Sequence, residues 1–179
     1  MARKMNVVCY DPEWATMFEI EKERLLGVFD ELLIDIHHFG STTIEKMPAK
    51  PTIDIMVVVN DIEKIDQFND AMFDLGYLSR GENGIEGRRY FVKLHEDGEN
   101  HSVHVHIYGD ENPHVADELM FRDFLRIDKD SFDAYSNVKR KASEQFLHSP
   151  GQYVDAKHDC VMKIMDKARC YYSRNVPKC

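Results

Sequence analysis

Apolar residues along this chain fall into two registers, one repeating every three to four positions and one alternating every second position. Trp14, Met17, Phe18, Leu25, Val28, Phe29 and Leu32 recur at helical spacing, which predicts an amphipathic helix through about residue 32. Asp11 as a cap, Pro12 in the first turn and Glu13 at the positive helix end mark its start. "LLIDIHHF" then reads as a strand ending at Gly40. "TIDIMVVV" reads as a second strand, apolar on both faces except at Thr52 and Asp54. A strand apolar on both faces belongs in the middle of a sheet.

Helical spacing returns with Ile62, Ile65, Phe68 and Met72, predicting a helix over 61–75 that stops at Gly76. "YLSRG" is a short strand by its composition, and "GENGIEG" a glycine-rich turn or mobile loop. "RRYFVKL" and "SVHVHIY" alternate, with "HEDGEN" between them as a hairpin loop. From about 115 to 173 the period is helical, giving three helices near 115–127, 131–147 and 150–172, the last opened by Ser149-Pro150. The order predicts an α+β fold with a mixed sheet. Residues 1–110 would form its α/β core, and 111–179 a helical segment packed on that core as one compact unit. Within the tail, "YSNVK" and "YVDAK" place Tyr135/Lys139 and Tyr153/Lys157 four apart on successive helices. "ELMFRDFLR" sets Phe121, Phe124 and Leu125 inward and puts Arg122 and Arg126 on another face. The expected role is docking the tail on the sheet, with a ligand contact from Arg122 as the alternative.

Composition narrows the function classes. A formal net charge of −9 over 179 residues argues against general nucleic-acid binding, which needs clustered Lys and Arg. It leaves room for a small anion in a locally basic pocket. The cysteines (Cys9, Cys160, Cys170 and Cys179) show no pairing pattern and read as reduced thiols. No signal peptide begins the chain and no apolar run nears the roughly 20 residues that span a bilayer. A cytoplasmic protein without a membrane partner is expected.

The candidate chemistry sits between the first two strands. Gly40 has no Cβ, so its backbone can approach a ligand closely. A short helix at 42–47 would aim its first N–H groups and the Ser41 hydroxyl at an anion; a plain turn is the alternative. Asp54 interrupts an apolar strand, where a bare carboxylate costs several kcal/mol unless it is paired or binds a metal; capping a loop from a strand end is the alternative. His104 and His106 alternate with Val103, Val105 and Ile107, so both imidazoles share the face opposite the valines. With Asp54 they make a two-histidine, one-carboxylate set suited to Zn²⁺, Mn²⁺ or Fe²⁺. One of them as a general base, or a merely solvated face, are the other readings. Arg89 and Lys93 share one strand face while Arg88 points the other way; Lys50, Lys139 and Lys157 add further cations. His37 and His38 read as supports for the turn.

The run "HFGST…AKPTIDIMVVV", preceded by "YDPEW" and followed by "GRRYFVK", "HVHIY", "FRDFLR" and the two "Y…K" pairs, resembles the GrpB-like family of the nucleotidyltransferase superfamily, from about Val7 to Ala168. That resemblance implies a nucleotidyltransferase-like mixed sheet flanked by helices. It also implies metal-dependent transfer of a nucleotidyl or phosphoryl group from a nucleotide to a small acceptor. In the superfamily a Gly-Ser turn holds the triphosphate, here Gly40, Ser41 and Thr42. Two carboxylates two residues apart on the next strand hold paired Mg²⁺ or Mn²⁺ ions, with Zn²⁺ as the other candidate here. Asp54 matches the first carboxylate; Met56 stands at the second and offers no oxygen. His104 and His106 occupy the place expected for a third carboxylate. Lys50, Arg89, Lys93, Lys139 and Lys157 would meet the phosphates. A non-catalytic nucleotide- or metabolite-binding module, and a metal-dependent hydrolase using Asp54 with His104 and His106, are the alternatives. The partners expected are a nucleotide and its small acceptor, with self-association left open.

Overall fold

A computed structural model describes residues 4–175. Helix α1 (Glu13–Phe29) leads through a short 3-10 turn into β1 (Leu33–Phe39), and a second 3-10 turn, Ser41–Thr43, connects toward β2 (Ile53–Val59). A 3-10 stretch Ile62–Phe68 precedes α2 (Asn69–Asp74), β3 (Tyr77–Ser79), β4 (Arg88–Leu94) and β5 (His101–Gly109). Helices α3 (Pro113–Ile127), α4 (Lys129–Gln145) and α5 (Pro150–Asn175) complete the described chain. The five strands form one sheet in the order β1-β2-β5-β4-β3, with β2 and β5 parallel and every other pair antiparallel. This is the α+β, mixed-sheet architecture that the hydrophobic pattern implies.

Three local expectations change. The helix expected over 61–75 is mostly 3-10, closing with one α-helical segment before Gly76, whose φ of 86° ends it. Asp61 accepts from the Glu63 N–H at its start, and only Ile65 and Met72 are fully buried, so packing specifies little of it. The first α-helix ends at Phe29 because Asp30 takes a positive φ of 23°. The helix expected at 42–47 is only the single 3-10 turn Ser41–Thr43.

The two sheet faces carry different cores. On one, Ile53, Ile55, Val57 and Val59 of β2 and Val103, Val105 and Ile107 of β5 pack beneath Trp14, Phe18, Leu25 and Phe29 of α1. On the other, Phe39, Met56, Val58 and Tyr108 pack with Val115 and Leu119 of α3. β2 is apolar on both sides because both sides are covered. The tail is tied down twice. Ile44, Met47, Phe124, Leu125, Tyr135, Ile164 and Ala168 form a cluster between the β1–β2 connection and the last three helices. Residues 5–8 run as a strap: Met5 N–H donates to Leu147 O at 2.7 Å, and Val8 bridges Ala49. Cys9, Cys160 and Cys170 are free thiols, and Cys179 lies outside the described residues. No helix among the described residues is long and apolar enough to cross a membrane.

Candidate functional site

The sheet face that carries Phe39 and Met56 opens, at the start of β2, into a cavity of about 500 Å³ closed over by α3, α4 and α5. Its floor is set by strand pairing. Phe39 stands opposite Asp54 on β1–β2, and Asp54 and Met56 stand opposite His104 and His106 on β2–β5. Residues paired across strands project to one face, so the carboxylate and both imidazoles share the cavity.

Gly40 ends β1 at φ 70° and ψ −169°, a region essentially reserved for glycine. A Cβ there would stand 2.5 Å from Asp54 Oδ2. The turn is gripped from α3: Arg122 Nη1 donates to His38 O at 3.0 Å, and Arg126 Nη2 donates to Thr43 O at 3.0 Å and to Thr43 Oγ1 at 2.7 Å. Both arginines therefore dock the tail on the turn. His38 lies on the far sheet face, its ring stacked on Phe18 and its Nε2 3.0 Å from Thr42 Oγ1. His37 pairs with Asp35. Ser41 and Thr42 line the cavity together with Tyr135.

Asp54 accepts from His104 Nδ1 at 2.9 Å. Burial works to raise its carboxyl, but that hydrogen bond and the positive charge of its neighbours, Lys50 included, hold it at about 2. The carboxylate stays ionised. Because a carboxylate only accepts, a neutral His104 presents its lone pair at Nε2, 2.9 Å from His101 Nδ1. Both His104 nitrogens are thus engaged.

His106 differs. A guanidinium has only donors, so Arg88 Nη1, 3.3 Å from His106 Nδ1, must donate to it. The proton of the neutral ring then sits on Nε2, a buried atom without a hydrogen-bond partner among the described residues. Burial depresses the His106 pKa to about 3, and His104 and Arg88 oppose a charged ring while Asp54 favours it. His106, which lines the cavity, thus keeps a buried N–H without a hydrogen bond among the described residues.

The cations divide by sheet face. Arg89 and Lys93, expected at the phosphates, lie on the opposite side: Arg89 Nε donates to Asp66 at 2.9 Å, and Lys93 Nζ to the buried Glu21 at 2.9 Å. Their place belongs to Arg88, opposite Tyr108 and next to Tyr90, which is opposite His106. Arg88 also holds the glycine-rich loop through Glu82 O at 3.2 Å and Asn83 O at 2.9 Å, placing Asn83 on the cavity wall. Lys50, Lys139 and Lys157 all line the cavity. The repeated Tyr-Lys spacing now has a structural meaning, since each lysine lies over its own tyrosine: Lys139 over Tyr135 at 5.2 Å and Lys157 over Tyr153 at 4.3 Å. Lys139 is 2% exposed and its Nζ has no hydrogen-bond partner among the described residues. Burial, then the charges of Lys157 and Lys50, drive its pKa well down, with Asp54 opposing. Lys157 falls to about 8, by burial first and then by Lys50.

Sequence reading missed Arg88, Glu118 and Asn83. Glu118 of α3 lines the cavity, and burial, then Asp54 and Asp117, push its carboxyl up to about 7 while Arg88 pulls it down. A signal existed, because Glu118 lies three residues after Val115 and three before Phe121, on the stripe that packs inward.

Ligand atoms of Asp54, His104 and His106 all lie within 4.8 Å of one another, a span compatible with one ion. Their protonation pattern does not suit it. His104 gives its Nδ1 proton to Asp54, and His106 presents N–H rather than a lone pair. Asp54 remains as an oxygen ligand; Met56, fully buried among Phe39, Val58 and Tyr108, adds none.

A family model for GrpB protein matches residues 4–167. YqkA of Bacillus subtilis, a UPF0157 protein, is 40% identical over 93% of this chain, which spans 48% of YqkA's length. The crystal structure of the conserved protein GrpB from Enterococcus faecalis superposes with a TM-score of 0.86 at 32% identity, covering 93% of this chain and 99% of that one. A cytoplasmic RNA terminal U-transferase superposes with a TM-score of 0.54 at 15% identity over 80% of this chain and 45% of its own, a likeness of fold alone. The chain belongs to the GrpB family and has a nucleotidyltransferase-like fold.

Proposed function

We propose that this GrpB-family chain binds the polyphosphate of a nucleotide in the cavity between Gly40 and α5 and transfers a nucleotidyl or phosphoryl group from it to a small acceptor. One observation supports the reading above the others: the buried Lys139 amine, though it lies over the Tyr135 ring, has no hydrogen-bond partner among the described residues. Leaving such a group unpaired in the interior costs several kcal/mol, so an anion supplied from outside is the natural partner. The His106 N–H is a second unsatisfied donor on the same wall, and Lys50 and Lys157 add charge beside it. The turn at Gly40 and Ser41 would let phosphate oxygens approach the backbone.

A divalent ion arriving with the nucleotide would be held by Asp54 and phosphate oxygens, and would neutralise charge on the transferred group. Lys50, Lys139, Lys157 and the His106 N–H would fix the phosphates, and Arg88 would hold His106 in the donor tautomer. Positioning and electrostatics of this kind carry most of phosphoryl-transfer catalysis. Met56 favours a second reading, a nucleotide-binding module without transfer, because no second carboxylate on β2 supports a paired ion. A hydrolase built on Asp54, His104 and His106 is disfavoured by the His106 proton.

Calorimetric titration with the four ribonucleoside triphosphates in Mg²⁺ or Mn²⁺ tests the pocket. Binding that disappears in Lys139→Met and Asp54→Ala supports it; absence of binding by all four sinks it. Release of pyrophosphate or phosphate separates transfer from the binding module.

A further inference from the structure

The acceptor's proton has to go somewhere, and most basic groups in the cavity are already occupied. Asp54 accepts from His104 and lies against Gly40. Both His104 nitrogens are engaged, and the His106 lone pair is taken by Arg88. Lys139 and Lys157 line the cavity and, in the transfer reading above, would be occupied by the phosphates. Burial pushes the Tyr135 hydroxyl well up, so it keeps its own proton. Among the described residues, one carboxylate without such an engagement lines the cavity, and it belongs to α3.

We propose that Glu118 is the group that takes the proton from the acceptor's hydroxyl or amine. The assignment rests on the transfer reading above. Glu118 and Tyr135 together line three adjoining spaces: the 500 Å³ cavity, a small 70 Å³ chamber behind Gly40 and Ser41, and a 370 Å³ groove between α3 and α5. Glu118 thus stands where the nucleotide cavity opens toward the solvent side of the tail, the side an acceptor could enter while the nucleotide lies on the sheet. The groups facing it are Asp54 on β2, Arg88 on β4, Tyr108 on β5, Tyr135 on α4, Arg169 on α5 and Asp117 on its own helix. Asp117 is paired with Arg169 at 3.0 Å. A carboxyl tuned near neutrality is suited to this transfer, since it is deprotonated often enough to accept and basic enough to pull.

In the step, the acceptor oxygen or nitrogen forms its bond to phosphorus and its proton passes to a Glu118 carboxylate oxygen. The bond from phosphorus to the leaving oxygen breaks, and the electron pair departs with pyrophosphate or with the nucleoside diphosphate. No oxidant or further reactant is needed.

The test uses the whole protein with Mn²⁺ and the four ribonucleoside triphosphates, water serving as acceptor, and compares wild type with Glu118→Gln and Glu118→Asp. Glu118→Gln should lower kcat by about 10²- to 10⁴-fold, keep nucleotide affinity, and abolish an acid limb near pH 7; Glu118→Asp should restore part of the rate. Glu118→Gln with wild-type kcat and an unchanged pH profile overturns the role while leaving the transfer reading intact. A wild type that turns over none of the four removes transfer, and this role with it. Carbon-13 NMR of the free protein is independent of turnover: the Glu118 carboxyl should titrate near 7, and a midpoint in the ordinary carboxylate range also overturns the role.

Discussion

Gly40 and Asp54 are packed so closely that a methyl group on the glycine would lie 2.5 Å from the carboxylate oxygen Oδ2 and 3.1 Å from Asp54 Cβ. The end of one strand and the charge on the next are built as a single unit. Gly40→Ala meets both the contact and the glycine-only backbone angles, a loss of about 1–3 kcal/mol. Urea denaturation should show it, together with weakened nucleotide binding. Wild-type stability in the variant would mean that the turn relaxes freely and does not position Asp54.

Lys139→Met separates stability from function. Replacing a buried amine that has no hydrogen-bond partner among the described residues by an apolar chain of similar length should leave the free protein as stable as wild type or more so, by up to about 2 kcal/mol. The same change should abolish nucleotide binding. A clear drop in the denaturation midpoint would show instead that Lys139 has a structural partner.

Acid sensitivity should come from two half-buried histidines, His38 and His106. Burial is the main cause that depresses the pKa of His38 to about 4 and that of His106 to about 3, from 6.5 when unfolded. The neutral rings therefore contribute stability that is complete above pH 6.5 and lost as the pH falls through 4 and then 3. Each residue should add a slope of about 1.4 kcal/mol per pH unit within its window. Asp54, lowered from 3.8 to about 2, adds its own loss between those values. Denaturation from pH 7 to 4 should show the slope reduced by one proton in His106→Gln. An unchanged slope would refute a buried, neutral His106.

Arg122→Ala removes the bond from α3 to His38 O and leaves that carbonyl without its partner. A loss of about 1–2 kcal/mol is expected. Nucleotide affinity should fall with it, because the freed turn carries Gly40 and Ser41. Intact affinity would show that the turn holds its shape without the tail.

Much of the fold was legible from residue pattern alone, for identifiable reasons. The double-faced apolar run of β2 announced a central strand, and the alternation of His104 and His106 with valines put both imidazoles on one face. The 3-10 stretch Ile62–Phe68 was not legible, because four apolar residues at helical spacing do not distinguish 3.6 from 3.0 residues per turn over so short a span.

The basic residues of β4 show the limit most clearly. A period of two separates Arg88 from Arg89 and Lys93, but both faces of this sheet are covered, so periodicity cannot say which one meets the cavity. Pairing of Tyr90 with His106 decides it, and that is a long-range contact. The Asp54–His104 bond, the tautomer imposed on His106 by Arg88, the burial of Lys139 and the place of Glu118 on the cavity wall depend likewise on segments far apart in the chain. Amino-acid order by itself determined the helices, the strands and their inward faces, because those follow from local periodicity. Which charges end up stranded without water was settled only when α3, α4 and α5 closed over the sheet, because desolvation belongs to the assembled fold and not to any one segment.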